Sequence, residues 1–266
     1  MDRPPWAPPE VDINRPSVSR VYDYFLGGSH NFAADRELAR QILQLEPATT
    51  RVANANRAFL GRAVRELVAL GVDQFLDIGS GIPTIGNVHE IAQGQKPGVR
   101  VVYVDIDPVA VAHSQLILRD NPDAGVVQAD LRDPASILDD PVVKRLLDFD
   151  RPVAVLLVSV LHFVSDDDNP AGSIAHLRDR LAPGSYLVIS HLAELRDNPA
   201  DPQLRSEAQE HYSRSVAAIT LRRKEEVAAL FAGFTLVEPG LVTTAQWRPD
   251  GEPDYVAAWA GVGRLD

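Results

Sequence analysis

The sequence predicts an α/β fold with a seven-stranded, mostly parallel sheet, and three observations support this prediction. Short aliphatic and β-branched runs, typical of strands buried on both faces, recur from residue 73 onward. Helical stretches separate the first five runs, as the right-handed crossovers of a parallel sheet require. The last two runs are joined by a segment too short for a crossover helix, so they should pair antiparallel. We therefore expect a Rossmann-like layout.

The individual elements follow from these patterns. The parallel strands are predicted at residues 74–78, 100–104, 125–129, 153–160 and 186–190, and the hairpin strands at 235–241 and 255–262. The helices are predicted at residues 86–93, 108–119, 134–147 and 171–181, with a further one at about 222–232. Pro108 and Pro134 each follow an aspartate, which is the usual order of an N-cap and the first helical residue.

The first 72 residues are predicted to form an N-terminal arm and a helical cap. Residues 1–16 are rich in proline and are expected to be a mobile arm or an extended strap. Ser17 is the predicted N-cap of a helix that ends before Gly27, and further helices are predicted at 33–45 and 50–70. We expect the cap (1–72) and the sheet domain (73–266) to form one structural unit.

Composition argues against several classes of function. The net charge of −11 opposes binding to a polyanion, so no nucleic-acid substrate is expected. The absence of cysteine excludes disulfides, thiolate catalysis and cysteine-ligated metals. The longest apolar run, at 153–158, is too short to span a membrane, and the N-terminus does not resemble a signal peptide. We therefore expect a cytoplasmic protein with no membrane partner.

The first predicted strand ends in a glycine bend, Asp77-Ile78-Gly79-Ser80-Gly81. Ligands of open parallel sheets bind at this edge, and glycine lets the backbone approach them closely. A dinucleotide site needs a further glycine where this chain has Thr84. S-adenosylmethionine (SAM) has no phosphate, and its loop follows the looser Asp-x-Gly-x-Gly pattern, although Pro83 stands where many such loops have another glycine. The bend favours a SAM site, with a plain tight turn as the alternative.

Acidic residues at the ends of the next two strands complete the predicted cofactor site. Asp105 can accept hydrogen bonds from both ribose hydroxyls, and Ile106 can pack against the adenine ring. Asp130 can accept from the adenine amino group, while the backbone N–H of Leu131 serves a ring nitrogen. The alternative for Asp130 is a helix N-cap, and a cap is the favoured role of Asp107, which precedes a proline.

The fourth predicted strand leads to His162, which is placed where a general base can meet a substrate hydroxyl or amine. The alternative, which we favour, is a histidine that is packed and hydrogen-bonded in the core. The aspartates at 166–168 are interpreted as a solvated loop before a helix, and no metal site is expected there, because no second cluster of ligands is recognisable.

Over nearly its full length the chain resembles an actinobacterial family of class I SAM-dependent methyltransferases that has no settled substrate. Highly specific N-terminal blocks carry the resemblance: RPS (15–17), RVYDYFLGG (20–28), NFAADR (31–36) and ANRAFL (55–60). Motifs of the sheet domain add FLDIGSG (75–81), NVHE (87–90), YVD (103–105), ADLR (129–132) and VLHF (160–163). The resemblance implies the fold, SAM as cofactor with S-adenosylhomocysteine (SAH) as product, and methyl transfer as the activity.

Residues of the cap are candidates for further contacts with cofactor or acceptor. Arg57 can pair with the SAM carboxylate, or it can form a structural salt bridge. Tyr22 or Tyr24 can line the sulfonium or an aromatic acceptor, or these rings can simply pack the cap onto the sheet.

Three hypotheses of function remain at this stage. The first is in-line methyl transfer to a small-molecule acceptor, with the N-terminal helices as a lid. The second is a catalytically silent SAM-binding module, and the third is a nicotinamide-dependent oxidoreductase, which Thr84 and the terminal hairpin disfavour. The sequence leaves open whether the chain forms a homo-oligomer.

Overall fold

The structure is a computed structural model that describes residues 9, 11–83, 86–193, 207, 210, 212–213, 216–252 and 258–266. Most of the predicted arm, Thr84 and the start of the last predicted strand lie outside these residues. The described part confirms the α/β architecture, with a central sheet that is parallel over its first five strands and antiparallel at its C-terminal edge.

Within the described residues the sheet contains eight strands in the spatial order β3-β2-β1-β4-β5-β8-β6, with β7 also paired to β8. Their bounds are β1 Gln74–Ile78, β2 Arg100–Asp105, β3 Ala124–Gln128, β4 Ala154–Val158, β5 Tyr186–Leu192, β6 Thr235–Leu236, β7 Val242–Thr243 and β8 Ala258–Arg264. The strand order reverses between β1 and β4, so a ligand crevice is expected at the carboxyl ends of these strands.

Among the described residues, three helices precede the sheet: α1 Val18–Phe25, α2 Ala33–Leu45 and α3 Thr49–Ala69. The others are α4 Val88–Gln95, α5 Pro108–Ile117, α6 Pro134–Asp139, α7 Pro141–Leu146, α8 Pro170–Arg178 and α9 Lys224–Ala229. Ser17 caps α1 as predicted, since its side chain accepts a hydrogen bond from the backbone N–H of Arg20. No described helix is long and apolar enough to cross a bilayer.

Two elements that were predicted to be continuous are each divided in the structure. The helix predicted at 134–147 divides into α6 and α7, because Pro141 has no N–H and the Asp140 side chain instead accepts from the N–H of Val142 to begin a new helix. The strand predicted at 235–241 divides into β6 and β7. Its backbone turns between them, where the N–H of Gly240 donates to the carbonyl of Val237 and Gly240 has a φ of 82°. The described part of the sheet therefore has eight strands rather than seven.

Strand alternation divides the core into two layers, one on each face of the sheet. One layer joins Leu76 and Ile78 of β1 to α6, α7, α8 and α9. The other joins Phe75 to the apolar stripe of α3 and to α4. Asp77 and Asp105 alternate in phase with Phe75 and Tyr103, so both carboxylates belong to the face covered by α3 and α4.

A third apolar cluster, which we call the cap cluster, lies between α1 and α2. Its buried members are Val21, Phe25, Leu38, Ala39, Ile42, Ala53 and Tyr212, and the half-buried rings of Tyr22, Tyr24 and Phe163 pack against it. The family-specific block from residue 20 to 36 folds onto itself beside this cluster. The buried Asp23 carboxylate accepts from the N–H of His30 and from Asn31 Nδ2, and a side chain at Gly28 would collide with it.

Candidate active site

The glycine bend after β1 lies against β2 and β4. The backbone N–H groups of Gly79 and Ser80 donate to the carbonyl of Val104 at 2.7 and 3.1 Å. Gly79 and Gly81 have φ values of 73° and 69°, which L residues with a side chain rarely adopt. A Cβ at Gly79 would also collide with the Val160 side chain, so the bend approaches the end of β4 closely. The Ser80 hydroxyl is buried without a hydrogen-bond partner in the described part of the chain.

Asp105, at the end of β2, holds a buried carboxylate directly beside this bend. It accepts from the backbone N–H of Gly81 at 2.6 Å and of Asp107 at 2.8 Å, and the Ser19 hydroxyl of α1 lies 3.4 Å from it. Burial raises the pKa of Asp105 to about 6, although these hydrogen bonds oppose the shift. The pKa of this carboxylate therefore lies close to physiological pH, and the cap covers the carboxylate.

Asp77, on the adjacent strand, is as deeply buried as Asp105. Burial raises its pKa to about 7, the nearby Arg57 charge opposes the shift, and the Asp105 charge adds to it. Arg57 Nη2 donates to Asn87 Oδ1 at 3.2 Å. Asp77, Arg57 and Asn87 line a cavity of about 10 Å³ together with Ser80 and Tyr103. This space holds roughly one water molecule.

The residues predicted to contact adenine lie at the next strand ends. Ile106 is 59% exposed and leaves an apolar surface beside the buried Asp105. The Asp130 carboxylate receives hydrogen bonds from Arg132 Nε and Nη2. Asp133, rather than Asp130, caps α6, so the helix-cap alternative for Asp130 was wrong. Leu131 places its side chain in the core, and only its backbone is available for the predicted contact.

The structure thus unites two of the three predicted carboxylates. Asp77 and Asp105 lie on the paired parallel strands β1 and β2, and the Asp105 charge contributes to the raised pKa of Asp77. Asp130 follows β3, and its partly exposed carboxylate forms an ion pair with Arg132. Within the described ranges, no group of three or more histidine, aspartate or glutamate side chains is arranged to hold a metal ion.

A buried polar network that the sequence analysis missed joins the cap to this edge. Arg20 Nε donates to Asp35 Oδ2 at 2.9 Å, and its Nη1 lies 3.6 Å from Asp107 Oδ2. The Ser17 hydroxyl donates to the same Asp107 oxygen at 2.5 Å. Asp107 also caps α5, as predicted, by accepting from the N–H of Val109. The family-specific blocks at residues 15–36 were the signal available in the sequence. The spacing of residues along the chain, however, does not identify their hydrogen-bond partners.

A second hydrogen-bond network that the sequence analysis missed joins α1, α3 and β5. Asn56 of α3 donates from Nδ2 to the Tyr22 hydroxyl at 2.9 Å and accepts from the Ser190 hydroxyl at 2.5 Å. Ser190 also accepts from the N–H of Ser159, which has a φ of 58° at the end of β4. Tyr22 therefore has a structural hydrogen bond in addition to its packing, whereas Tyr24 packs at the edge of the cap cluster.

His162 follows β4 in a short 3-10 turn, Leu161–Phe163, and is 3% exposed. Its Nδ1 is buried and has no hydrogen-bond partner among the described residues. The ring faces Phe163 and the ring of His191 from β5. Burial, followed by the charges of His191 and Arg222, lowers the pKa of His162 well below its ordinary value, so this histidine is neutral. His162 is thus a buried residue, and its contact with an acceptor stays a prediction.

A family profile described as S-adenosyl methyltransferase matches residues 4–266 of the chain. The chain belongs to this S-adenosyl methyltransferase family. Its cofactor is therefore SAM, and the resemblance predicted from the N-terminal blocks and the sheet motifs is confirmed. Membership in this family also decides against the nicotinamide-dependent alternative.

Two crystal structures of family-like proteins are similar over almost the whole chain. One is a protein from Thermobifida fusca YX that is described provisionally as a methyltransferase. It is 41% identical, the alignment covers 99% of this chain and 100% of that chain, and the TM-score is 0.92. A DUF574 family protein from Streptomyces avermitilis MA-4680 is 38% identical, with 96% and 100% covered and a TM-score of 0.89.

A more distant structure shows the fold alone. An O-methyltransferase family protein from Burkholderia thailandensis is 15% identical, with 84% of this chain and 62% of that chain covered and a TM-score of 0.53. No curated protein sequence matches the chain.

The residues of this methyltransferase fit an adenosyl ligand. Asp105 is a buried acceptor at the end of β2, Ile106 is an exposed apolar surface next to it, and the buried Ser80 hydroxyl lacks a partner among the described residues. SAM is far larger than the cavity beside Asp77.

Proposed function

We propose that the protein transfers the SAM methyl group to a small-molecule acceptor. The cofactor would lie at the ends of β1, β2 and β3, and the acceptor toward the ends of β4 and β5. The observation that carries this proposal is the buried Asp105 carboxylate, whose present partners are two backbone N–H groups and a weakly placed serine hydroxyl from the cap. A small acceptor is favoured because the net charge of −11 opposes a polyanionic one.

Each cofactor-binding residue has a distinct role in this proposal. Asp105 would accept from the ribose hydroxyls, Ile106 would cover one face of adenine, and Asp130 with the backbone of Leu131 would meet its polar edge. The group nearest the amino-acid end of the cofactor would be Asp77 with Arg57 and the bend residues Gly79, Ser80 and Gly81. Asp77 and Arg57 suit an ammonium and a carboxylate respectively, because their charges are opposite in sign to those groups.

SAM supplies a methyl group on a sulfonium, and an acceptor lone pair forms the new bond as the carbon–sulfur bond breaks. The protein's task is to align the acceptor and to exclude water. His162 would offer a neutral ring nitrogen to the acceptor hydroxyl or amine, and Tyr24 would line the acceptor from the cap. The low pKa of His162 makes it a weak base, so orientation is its main contribution.

The cap would act as a lid. Ser17, Ser19 and Arg20 place α1 over Asp105 and Asp107, which are the carboxylates at the end of β2. We propose that residues 1–72 move as an arm and cap against the domain formed by residues 73–266, while the two remain one structural unit. Opening would expose Asp105 to the ribose, and closure would exclude water.

Isothermal titration with SAH and SAM tests the cofactor site. Asp105→Ala should weaken SAH binding by about 100-fold, because two charge-assisted hydrogen bonds are lost at about 1.5 kcal/mol each. Asp133→Ala is the matched control, since Asp133 also follows β3 in this acidic region but only caps α6. Equal SAH affinity in the wild type and Asp105→Ala would refute the proposed site.

A further inference from the structure

Arg222 is buried at the ends of β4 and β5, although it belongs to the basic run Arg222-Arg223-Lys224. Only 4% of it is exposed. Its guanidinium donates to the carbonyls of Leu161 and Val164, each at 2.9 Å. Nε and Nη2 also donate to one oxygen of Asp166 at 3.1 and 2.6 Å. One side chain therefore holds the whole turn from residue 161 to 166.

The same guanidinium fixes the protonation state of His191. Arg222 Nη1 lies 2.8 Å from His191 Nε2, and a guanidinium can only donate. His191 Nδ1 lies 2.7 Å from the carbonyl of Leu192, which can only accept. The ring must therefore carry its proton on Nδ1 and present a lone pair on Nε2. Burial first, with the Arg222 charge adding to it, lowers the pKa of His191 to about 4.

His162 lies within the structure that Arg222 organises. Its backbone carbonyl accepts from the N–H of Thr220 at 2.8 Å, and Ala193, the residue after β5, forms a bridge with Arg222 itself. The His162 ring makes an edge contact with the His191 ring, with centroids 5.6 Å apart. The turn, the segment at 220–222 and His191 thus enclose the imidazole whose Nδ1 has no partner in the described part of the chain.

We propose that Arg222 is a positioning residue for methyl transfer. Its planar fork fixes the tautomer of His191 and the turn at 161–166, and it thereby presents a neutral His162 to an acceptor that carries a hydroxyl or an amine N–H. This inference rests on the function proposed above, because it needs an acceptor at the ends of β4 and β5. Lysine cannot replace this arginine, since a single ammonium cannot reach two carbonyls, a carboxylate and an imidazole in these directions.

Long-range proton–nitrogen NMR of the histidine rings in the full-length protein tests this role. The wild type should show His191 protonated on Nδ1 alone down to about pH 5, and SAH titration of the same sample reports the cofactor site separately. Arg222→Lys should mix the two His191 tautomers and raise the pH at which His191 titrates, while SAH affinity changes by no more than about twofold. Arg223→Lys is the matched control, because Arg223 is 52% exposed and pairs with Glu226 on the surface.

Asp166→Asn gives a second test if Arg222→Lys does not fold. The Asp166 side chain is 79% exposed, and its charge raises the pKa of His191, so this variant should keep the tautomer and titrate at still lower pH. A wild-type His191 protonated on Nε2, or titrating near its ordinary value, would overturn the proposal without any variant. A normal Nδ1 tautomer in Arg222→Lys would overturn it as well. If the wild type did not bind SAH but showed the expected His191 tautomer, that result would instead contradict the proposed function.

Discussion

The two halves of the strand edge bury opposite kinds of titratable group. At the ends of β1 and β2, burial raises the pKa of Asp77 to about 7 and of Asp105 to about 6. At the ends of β4 and β5, burial lowers the pKa of His191 to about 4 and that of His162 well below its usual value. Burial favours the neutral form in both halves, but only the first half titrates near physiological pH.

This difference separates a responsive half from a fixed one. The ends of β1 and β2, where we propose that SAM binds and which we call the donor half, hold carboxylates that can gain full charge when a ligand supplies hydrogen-bond donors or positive charge. The ends of β4 and β5, where we propose that the acceptor binds and which we call the acceptor half, hold neutral imidazoles beside Arg222, whose own charge disfavours their protonation. We therefore expect pH and ligand to act mainly at Asp77 and Asp105, and we expect the histidine pair to keep one state.

The largest expected effect concerns Gly79, where the two halves meet. Gly79→Ala should destabilise the protein by about 3 kcal/mol, because a left-handed φ costs about 1–2 kcal/mol and the collision with Val160 adds a similar amount. Gly81→Ala is the matched control, since Gly81 shares the positive φ but has open space among the described residues where a Cβ would lie, and it should cost about 1 kcal/mol. Urea unfolding measures both. Equal losses would mean that the contact between the bend and β4 is not tight.

The second effect tests the burial of charge in the donor half. Asp77→Asn should raise the free energy of unfolding at pH 8 by on the order of 2 kcal/mol, because a pKa above the unfolded value makes ionisation oppose folding. The folded wild type binds more protons than the unfolded chain between about pH 4 and 7, so its stability should fall as pH rises through this range. Asp77→Asn should flatten that fall.

Asp130→Asn provides the comparison of opposite sign. Arg132 lowers the pKa of Asp130, so the stability from this group is present above the unfolded pKa and is lost as pH falls. The effect should be under about 1 kcal/mol, because the pair is partly exposed. If Asp77→Asn were less stable than the wild type at pH 8, Asp77 would have a stabilising partner that this account lacks.

The third effect is the pH dependence of cofactor binding. Ligand hydroxyls bond more strongly to a carboxylate than to a carboxylic acid, so SAH affinity should rise as pH increases through about 6 to 7 and then level off. Below this range, each proton that must be released weakens binding about tenfold per pH unit. SAM, with its additional positive charge, should show the steeper dependence. Isothermal titration between pH 5 and 8.5 measures both ligands, and a flat SAH profile would contradict the assigned pKa directions.

The smallest effect concerns the cap. The Ser19 hydroxyl lies 3.4 Å from Asp105, which is a weak contact that a ribose hydroxyl would replace. Ser19→Ala should therefore strengthen SAH binding by up to about threefold, as measured by titration. Weaker binding would indicate that Ser19 contacts the ligand directly and is no competitor for Asp105.

The donor half could be predicted largely from sequence, because its signals are local. A short apolar strand, a glycine bend and an acidic strand end define Asp77 and Asp105 within a few residues, and β1 begins and ends at the predicted residues. The predicted α2 also agrees at both ends. Errors arose where a local cap overrode the periodicity, as when Asp140 and Pro141 ended one helix and began another.

The acceptor half could not be predicted in the same way, because its contacts are distant in sequence. Arg222 reaches Asp166 across 56 positions and His191 across 31. In the sequence it stands next to two other basic residues and two glutamates, which is the pattern of a solvated surface. Only the tertiary structure distinguishes the buried Arg222 from the exposed Arg223.

A crystal structure of the protein with SAH tests the central claim most directly. We expect the ribose hydroxyls within hydrogen-bonding distance of Asp105, adenine covering Ile106, and the Ser19 hydroxyl moved away from the Asp105 carboxylate. An adenosyl group bound elsewhere, with the contact between Ser19 and Asp105 intact, would contradict the assignment of the donor half.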